Sequence, residues 1–262
     1  MKRTLIKAPD LSVFPTELLP FLENAPLYDS SCSPEARVIF IDKGQGFYLK
    51  KSKLGSLKTE AEMTEFFHNK GMGAKVLNYI SAEDDYLLTS RVTGEDCTHK
   101  EFLSDPKRLC DTLAALLREL HESDGTGCPI KKRCDTYLKT VEENHRLHLF
   151  DGSYLISEIS KLTEDEAYEY VQDGRALLKN DTLIHGDYCL PNVMLDNWQL
   201  SGFIDVGNGG MGDRHIDLFW GAWTLAFNLK TDIYRERFFD AYGRDKVDNE
   251  ILKIVSAAEA FQ

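Results

Sequence analysis

Hydrophobic and polar positions fall into two paired runs in the first part of the chain. Arg37-Val38-Ile39-Phe40-Ile41 and Gly46-Phe47-Tyr48-Leu49-Lys50 are short and rich in β-branched and aromatic residues. Asp42-Lys43-Gly44-Gln45 separates them, and the pattern predicts a hairpin. Over 57–69 the period changes, with Glu60, Met63, Phe66 and Phe67 at helical spacing and Gly71 and Gly73 marking the end. Residues 75–80 and 86–92 predict a second hairpin across Ala82-Glu83-Asp84-Asp85. Together these elements predict a small antiparallel sheet with one packed helix. After Thr93-Gly94-Glu95 the pattern turns helical. Pro106 opens an amphipathic helix through Leu109, Leu113, Leu116, Leu117 and Leu120, ending near His121. Further helices are predicted over 136–149, over 164–178 and from Asp213 to the end, with short strands and loops over 183–205. The expected fold class is α+β with two lobes. A sheet-rich lobe covers 1–92 and a larger, mainly helical lobe covers 93–262, with a cleft of the kind that ligands favour.

Composition narrows the possible partners. The 262 residues carry 43 acidic and 31 basic side chains, a net charge of −12, and 42% of them are hydrophobic. That leaves ample material for a core. The acidity argues against nucleic acid, which needs clustered Lys and Arg. It suits a cationic or neutral small molecule, or it serves solubility alone. No apolar run approaches the roughly 20 residues of a membrane span. Met1-Lys2-Arg3-Thr4 is not followed by the apolar stretch of a signal peptide. Cys32, Cys97, Cys110, Cys128, Cys134 and Cys189 form no CxxC pair. They read as reduced thiols of a cytoplasmic protein.

The densest chemical signal is His185-Gly186-Asp187-Tyr188-Cys189-Leu190-Pro191-Asn192, followed by the apolar run Val193-Met194-Leu195. A second apolar run then ends at Asp205-Val206-Gly207. Average residue usage puts the first motif by chance in roughly one chain of this size in a thousand. Its spacing suits phosphoryl transfer, which needs a carboxylate at the attacking hydroxyl and hard oxygens for magnesium. Asp187 is the candidate base, and Asn192 and Asp205 are the candidate metal ligands. The plainer alternative makes these three ordinary turn and loop residues. A kinase-type site also needs a lysine on a strand and a glutamate on the next helix. Lys50 and Glu60 fit, with Lys51, Lys53, Glu62 and Glu65 as nearby competitors.

These residues resemble the aminoglycoside phosphotransferase family, most closely its 3′-phosphotransferases. The likeness rests on His185 through Asn192, Ser201-Gly202-Phe203-Ile204-Asp205-Val206-Gly207, Asp213-Arg214, Asp217, Cys128-Pro129 and Phe47-Tyr48-Leu49-Lys50. It runs with gaps from about Ser33 to the C-terminus. The resemblance implies a bilobal protein-kinase-like fold. It also implies ATP or GTP as donor, Mg2+, and a small cationic hydroxyl compound as acceptor, in a monomer or homodimer. It places the base of the nucleotide on Tyr48 and at the backbone of Ser90 to Val92, under a loop over 31–34 that includes Ser33. That loop lacks the G-x-G-x-x-G of protein kinases. Asp217, Trp223 and Glu259 fall on the acceptor side.

On that side the sequence departs from the family. Asn208 stands where an arginine follows I-D-x-G, and Trp223-Thr224 stand where an Arg-Asp pair is expected. A glutamate is missing near Phe227-Asn228, and the tail Ala258-Glu259-Ala260-Phe261-Gln262 keeps the single carboxylate Glu259. Aminoglycosides are polycations, so fewer carboxylates weaken binding or select another acceptor. Two readings of Trp220, Trp223 and Phe227 stay open: core packing, or rings lining the acceptor site. Glu158, Glu164, Asp165 and Glu166 either compensate for the missing charge or form a solvated face. An aminoglycoside kinase is the first expectation. A metabolic kinase for choline, an amino alcohol or a sugar is the second, and a non-catalytic nucleotide-binding regulator is the third.

Overall fold

A computed structural model describes residues 3–32 and 36–262. In chain order the elements begin with β1 (Thr4–Leu5), α1 (Leu19–Leu22), β2 (Leu27–Asp29), β3 (Arg37–Ile41), β4 (Phe47–Lys53) and α2 (Lys58–Asn69). Next come β5 (Val76–Ser81), β6 (Asp84–Ser90), β7 (Glu95–Asp96), α3 (Lys100–Leu103), α4 (Pro106–Glu122), α5 (Arg133–Arg146) and α6 (Glu164–Gly174). The chain ends with β8 (Thr182–Ile184), β9 (Val193–Asp196), β10 (Gln199–Phe203), β11 (Gly210–Gly212), α7 (Arg214–Leu229), α8 (Arg235–Gly243) and α9 (Asn249–Glu259). No helix among the described residues is long and apolar enough to cross a membrane. No disulfide is formed among the described residues, and Cys97, Cys110, Cys128 and Cys134 are buried.

The chain packs as two compact units. The first is Met1–Asp96 with Met194–Gly207, and the second is Cys97–Val193 with Asn208–Gln262. The sequence pattern suggests a single cut after Val92. The structure instead carries the first unit on to Asp96 and returns residues 194–207 to it. Pairing explains the return. Leu195 and Met194 of β9 oppose Glu95 and Asp96 of β7, and the amide of Phe203 donates to the Met72 carbonyl at 2.7 Å. The Phe203 ring also sits edge-on to Phe67. Asp205 therefore belongs to the first unit.

In the first unit an antiparallel sheet runs in the order β1-β2-β3-β4-β6-β5. The two hairpins foreseen in the sequence are its centre, and β1 and β2 add an edge that the sequence pattern did not reveal. One face buries Ile39, Ile41, Leu49, Tyr86 and Leu88 against Leu18 and Leu22 of the N-terminal segment. On the other face Leu57 and Ala61 cover Leu87. Lys50 opposes Leu87 across the β4–β6 register, so strand alternation places Lys50 on the face that α2 covers. Gly71 closes α2 at φ +72°, and the Met72 amide returns to the Phe67 carbonyl at 2.9 Å. β6 begins at Asp84, so Asp85 is a strand residue and not part of the turn. It is fully buried and accepts from the Leu57 amide, Ser81 Oγ and Tyr79 Oη.

The second unit is built on α4. Asp105 caps it by accepting from the Arg108 amide, and Leu109, Leu113, Leu117 and Leu120 form its buried stripe. α8 and α7 pack on that helix, while α9 packs on α6 and α7. β8 pairs antiparallel with β11, Ile184 opposite Gly210. This short ribbon carries the chain into His185 and Gly186.

Candidate active site

In the first unit three sequence-predicted residues meet. Lys50 Nζ donates to Glu60 Oε1 at 2.9 Å and Oε2 at 2.8 Å, and to Asp205 Oδ1 at 3.0 Å. Lys51, Lys53, Glu62 and Glu65 take no part in this trio. Strand parity accounts for Lys51, which points to the other face and pairs with Asp84. Burial works against the Lys50 ammonium, but Asp205 and Glu60 outweigh it and hold its pKa above the ordinary value. The two carboxylates differ. The Glu60 side chain is 14% exposed, whereas that of Asp205 is 51% exposed and stands on a left-handed backbone at φ +56°. The Lys50–Asp205 bond is therefore the one open to exchange.

Tyr48 lies two residues before Lys50 on the same face of β4 and tilts against Phe40 at 5.2 Å. Its hydroxyl accepts from Arg3 at 2.7 Å. Ser90 closes β6, with its hydroxyl accepting from the Lys75 amide, and Val92 is buried two residues on. Ser33 lies outside the described residues.

In the second unit the motif from His185 to Asn192 is a loop closed by its own side chains. Asn192 Nδ2 donates to Asp187 Oδ2 at 2.8 Å and to the Asp187 carbonyl at 3.0 Å. This bond fixes the carboxylate, and it leaves the Asn192 amide oxygen as the group available to a cation. Gly186 has φ +81°, and a Cβ there would lie 1.9 Å from the Asn208 carbonyl oxygen, so only glycine fits. Cys189 is a packing residue: burial pushes its thiol well above the ordinary value.

Asp217, expected on the acceptor side, is fully buried beneath this loop. Its Oδ2 accepts from the His185 amide and its Oδ1 from the Gly186 amide, both at 2.7 Å. His121 Nε2 lies 3.1 Å from Oδ2, and His121 Nδ1 lies 2.8 Å from Tyr242 Oη. Asp217 thus positions the backbone next to Asp187. Burial holds His121 below its ordinary value, against the pull of Asp217.

A cavity of about 210 Å³ opens beside Asp187. It is smaller than the roughly 300–1,000 Å³ of sites that enclose a drug-sized ligand, so it suits one part of a larger acceptor. Glu259 and Trp220 line it, together with Arg133, Tyr137 and Asn208. Glu259 is 2% exposed and accepts from Tyr137 Oη at 2.9 Å, and the Trp220 indole also bonds it. Burial raises Glu259 to about 8, against these hydrogen bonds, and the Asp187 carboxylate adds to the rise.

The remaining acceptor-side expectations divide. Trp223 does not line the cavity. It stacks on Phe227 at 5.0 Å and meets Trp220 edge-on, forming an aromatic ledge with Tyr154. Thr224 accepts from the Leu190 amide and so steadies the loop. Glu164, Asp165 and Glu166 open α6, where carboxylates favour a helix N-terminus. Glu164 pairs with His148, Asp165 with His145, and Glu166 forms a capping box with Thr163. The Glu158 carboxylate accepts from Ser157 Oγ at 2.7 Å. None of these four acids lines the cavity.

Arg133 is the residue that sequence reasoning missed. It opens α5, and its Nη2 donates to Asn208 Oδ1 at 2.7 Å, so a guanidinium meets the side chain standing where the family carries arginine. Lys131-Lys132-Arg133 offered only a basic run. The Cys128-Pro129 motif leads to it, since the next residue, Ile130, accepts from the Met211 amide of β11.

A helix-paired lysine in an antiparallel sheet unit, and an aspartate–asparagine loop in a mainly helical one, define a phosphotransferase of the kinase-like kind. The chain belongs to the phosphotransferase enzyme family, whose model matches residues 33–250, and within it to the aminoglycoside phosphotransferases. A Lactococcus lactis protein named "Probable aminoglycoside 3'-phosphotransferase" is 49% identical over 253 residues, covering 96% of each chain. The solved type VIII aminoglycoside-3′-phosphotransferase matches with a TM-score of 0.76, covering 91% of this chain and 94% of its own, at 23% identity. A Streptomyces rimosus aminoglycoside phosphotransferase in complex with ADP and streptomycin matches at 0.69 and 21% identity, covering 86% and 90%. At those identities the two structures show the kinase-like fold.

Proposed function

We propose that this chain transfers the terminal phosphoryl group of ATP or GTP to a hydroxyl of an aminoglycoside. The observation that carries the reading is one cavity holding both Asp187 and the buried carboxyl of Glu259. It stands in a chain alike over nearly its full length to the Lactococcus lactis relative. Asp187, fixed by Asn192, accepts the hydroxyl proton and aims the oxygen. Glu259, when ionised, gives the acceptor's ammonium group a counter-charge. Lys50, with Glu60 holding it, neutralises donor phosphates, and its exposed bond to Asp205 gives way to them. Tyr48 stacks on the base, and Ser90 to Val92 offers backbone to the base edge.

The donor set fits magnesium, which takes one or two carboxylates and otherwise substrate phosphates and water. Asp205 would hold it, with the amide oxygen of Asn192. When bound, magnesium neutralises charge on the phosphate oxygens.

The test is nucleotide consumption by the purified protein against a panel of aminoglycosides, with choline and amino sugars as controls. Turnover on an aminoglycoside is expected. Asp187→Ala should lower kcat by about 10²–10⁴-fold, the range of a positioned general base. Turnover on choline or an amino sugar alone moves the acceptor assignment, and full activity in Asp187→Ala ends the mechanism.

A further inference from the structure

Arg133 is a half-buried cation in the wrong place for a cationic acceptor. It lines the cavity that holds Asp187 and Glu259. Among the described residues its hydrogen bond is to the neutral amide oxygen of Asn208, and no carboxylate lies within 4 Å of it. A guanidinium carries five N–H donors and keeps its charge in a protein. Arg133 therefore presents unmatched donors and has no direct ion pair, although Glu259 acts on its charge across the cavity. Asn208 fixes the tip of the fork, and the Asn208 backbone lies against Gly186, the neighbour of Asp187. An aminoglycoside ammonium is repelled by such a group. An anion is what completes it.

We propose that Arg133 is a phosphoryl-binding residue on the acceptor side, gripping the group being transferred and then the phosphate of the product. The proposal rests on the kinase reading given above. In the step, the acceptor oxygen forms a bond to phosphorus while the bond from phosphorus to the donor's bridging oxygen breaks. The hydroxyl proton passes to Asp187, and the nucleoside diphosphate leaves with the bond's electron pair. Arg133 donates to non-bridging oxygens throughout, and a planar fork suits two of them at once. The same charge tightens the product and loosens the cationic substrate, so Arg133 opposes acceptor binding while favouring its phosphorylation.

Two variants separate this from a structural role. Arg133→Gln keeps a hydrogen-bond donor for Asn208 without the charge, and Arg133→Lys keeps the charge without the fork. Arg133→Gln should lower kcat about 10²-fold, the scale of one donor lost to a developing oxyanion. Its acceptor KM should stay equal or fall, and inhibition by the phosphorylated product should weaken about tenfold. Arg133→Lys should recover part of kcat. A second readout needs no acceptor: titration of inorganic phosphate into the nucleotide-free protein, followed by 31P NMR. The titration is made in the Lys50→Ala background, which removes the other phosphate-binding cation, and there phosphate binding should be lost with Arg133→Gln.

A kcat within threefold of the parent in Arg133→Gln overturns the proposal. Equal losses in the Gln and Lys variants overturn it too, as does phosphate binding that is absent from the start or indifferent to the substitution. Failure of the kinase reading looks different: no acceptor is turned over by the unmodified protein, while Arg133→Gln still abolishes phosphate binding.

Discussion

The two units hold their key carboxylates by opposite means. In the first, Glu60 and Asp205 meet the side chain of Lys50, so charge is matched by charge on a strand and a helix. In the second, Asp217 meets two backbone amides from beneath a loop, and Asp187 is held by a side-chain amide. The first arrangement is an assembled counter-charge for phosphates, with one exposed bond ready to exchange. The second is a scaffold, and its cavity keeps a cation and a carboxyl out of direct contact, Arg133 on Asn208 and Glu259 on Tyr137. A site built from side-chain pairs can lose one member and keep its fold. A site hung on buried backbone bonds cannot.

Removing Asp217 tests that contrast most severely. Asp217→Ala removes the carboxylate that accepts from the His185 and Gly186 amides, and each donor deprived of that acceptor costs about 1–3 kcal/mol. The expected loss is about 2–6 kcal/mol in urea unfolding, together with activity. A loss below about 1 kcal/mol would break the contrast. Lys50→Ala comes next. It should lower kcat/KM for the nucleotide about 10²-fold and leave the acceptor KM within threefold. Its unfolding free energy should change less than in Asp217→Ala, because Glu60 and Asp205 keep some access to water. A stability loss as large as that of Asp217→Ala would erase the difference between the units.

The sequence exposed the two sites unequally, and the reason is the range of the interactions. Lys50 and Glu60 were legible from the expected order of a strand lysine and a glutamate on the next helix, but Lys51, Lys53, Glu62 and Glu65 stayed open until the strand register and the side-chain pairing separated them. Asp187 and Asn192 were legible because both lie within one continuous motif, His185 to Asn192. The membership of Asp205 in the first unit was not legible. It follows from β9 pairing with β7 and from Phe203 reaching Met72, contacts that no local period announces. β1 and β2 span two and three residues, too short to show a period. Asp217 misled because a carboxylate that binds backbone amides has the same sequence signature as one that binds a ligand. Arg133 was invisible because Asn208, its partner, lies 75 residues away. The acids at the start of α6 looked like compensation for missing charge, yet capping and histidine pairing account for three of them.

A third expected effect bears on where the acidity of the chain acts. Glu259 has a pKa of about 8 in the folded protein against an ordinary 4.5. Between those values the native state keeps a proton that the unfolded chain has released. Stability is then fully present below about pH 4.5 and declines as pH rises through about 8, by up to about 1.4 kcal/mol per pH unit. Glu259→Gln cannot release that proton, so its stability should hold steady over the same window, measured by urea unfolding from pH 5 to 9. Acceptor binding should move the other way. Ionisation near pH 8 gives the cation its partner, so the acceptor KM of the parent should fall between pH 6.5 and 8.5, while that of Glu259→Gln stays high, about tenfold above it at the upper end. Arg133, Tyr137 and Asp187 face the same cavity and are common to both proteins, so the difference between the two curves belongs to Glu259. Parallel curves in both measurements would mean that the single carboxyl left on the acceptor side only packs against Tyr137 and Trp220. The cationic acceptor would then have to find its counter-charge at Asp187 alone.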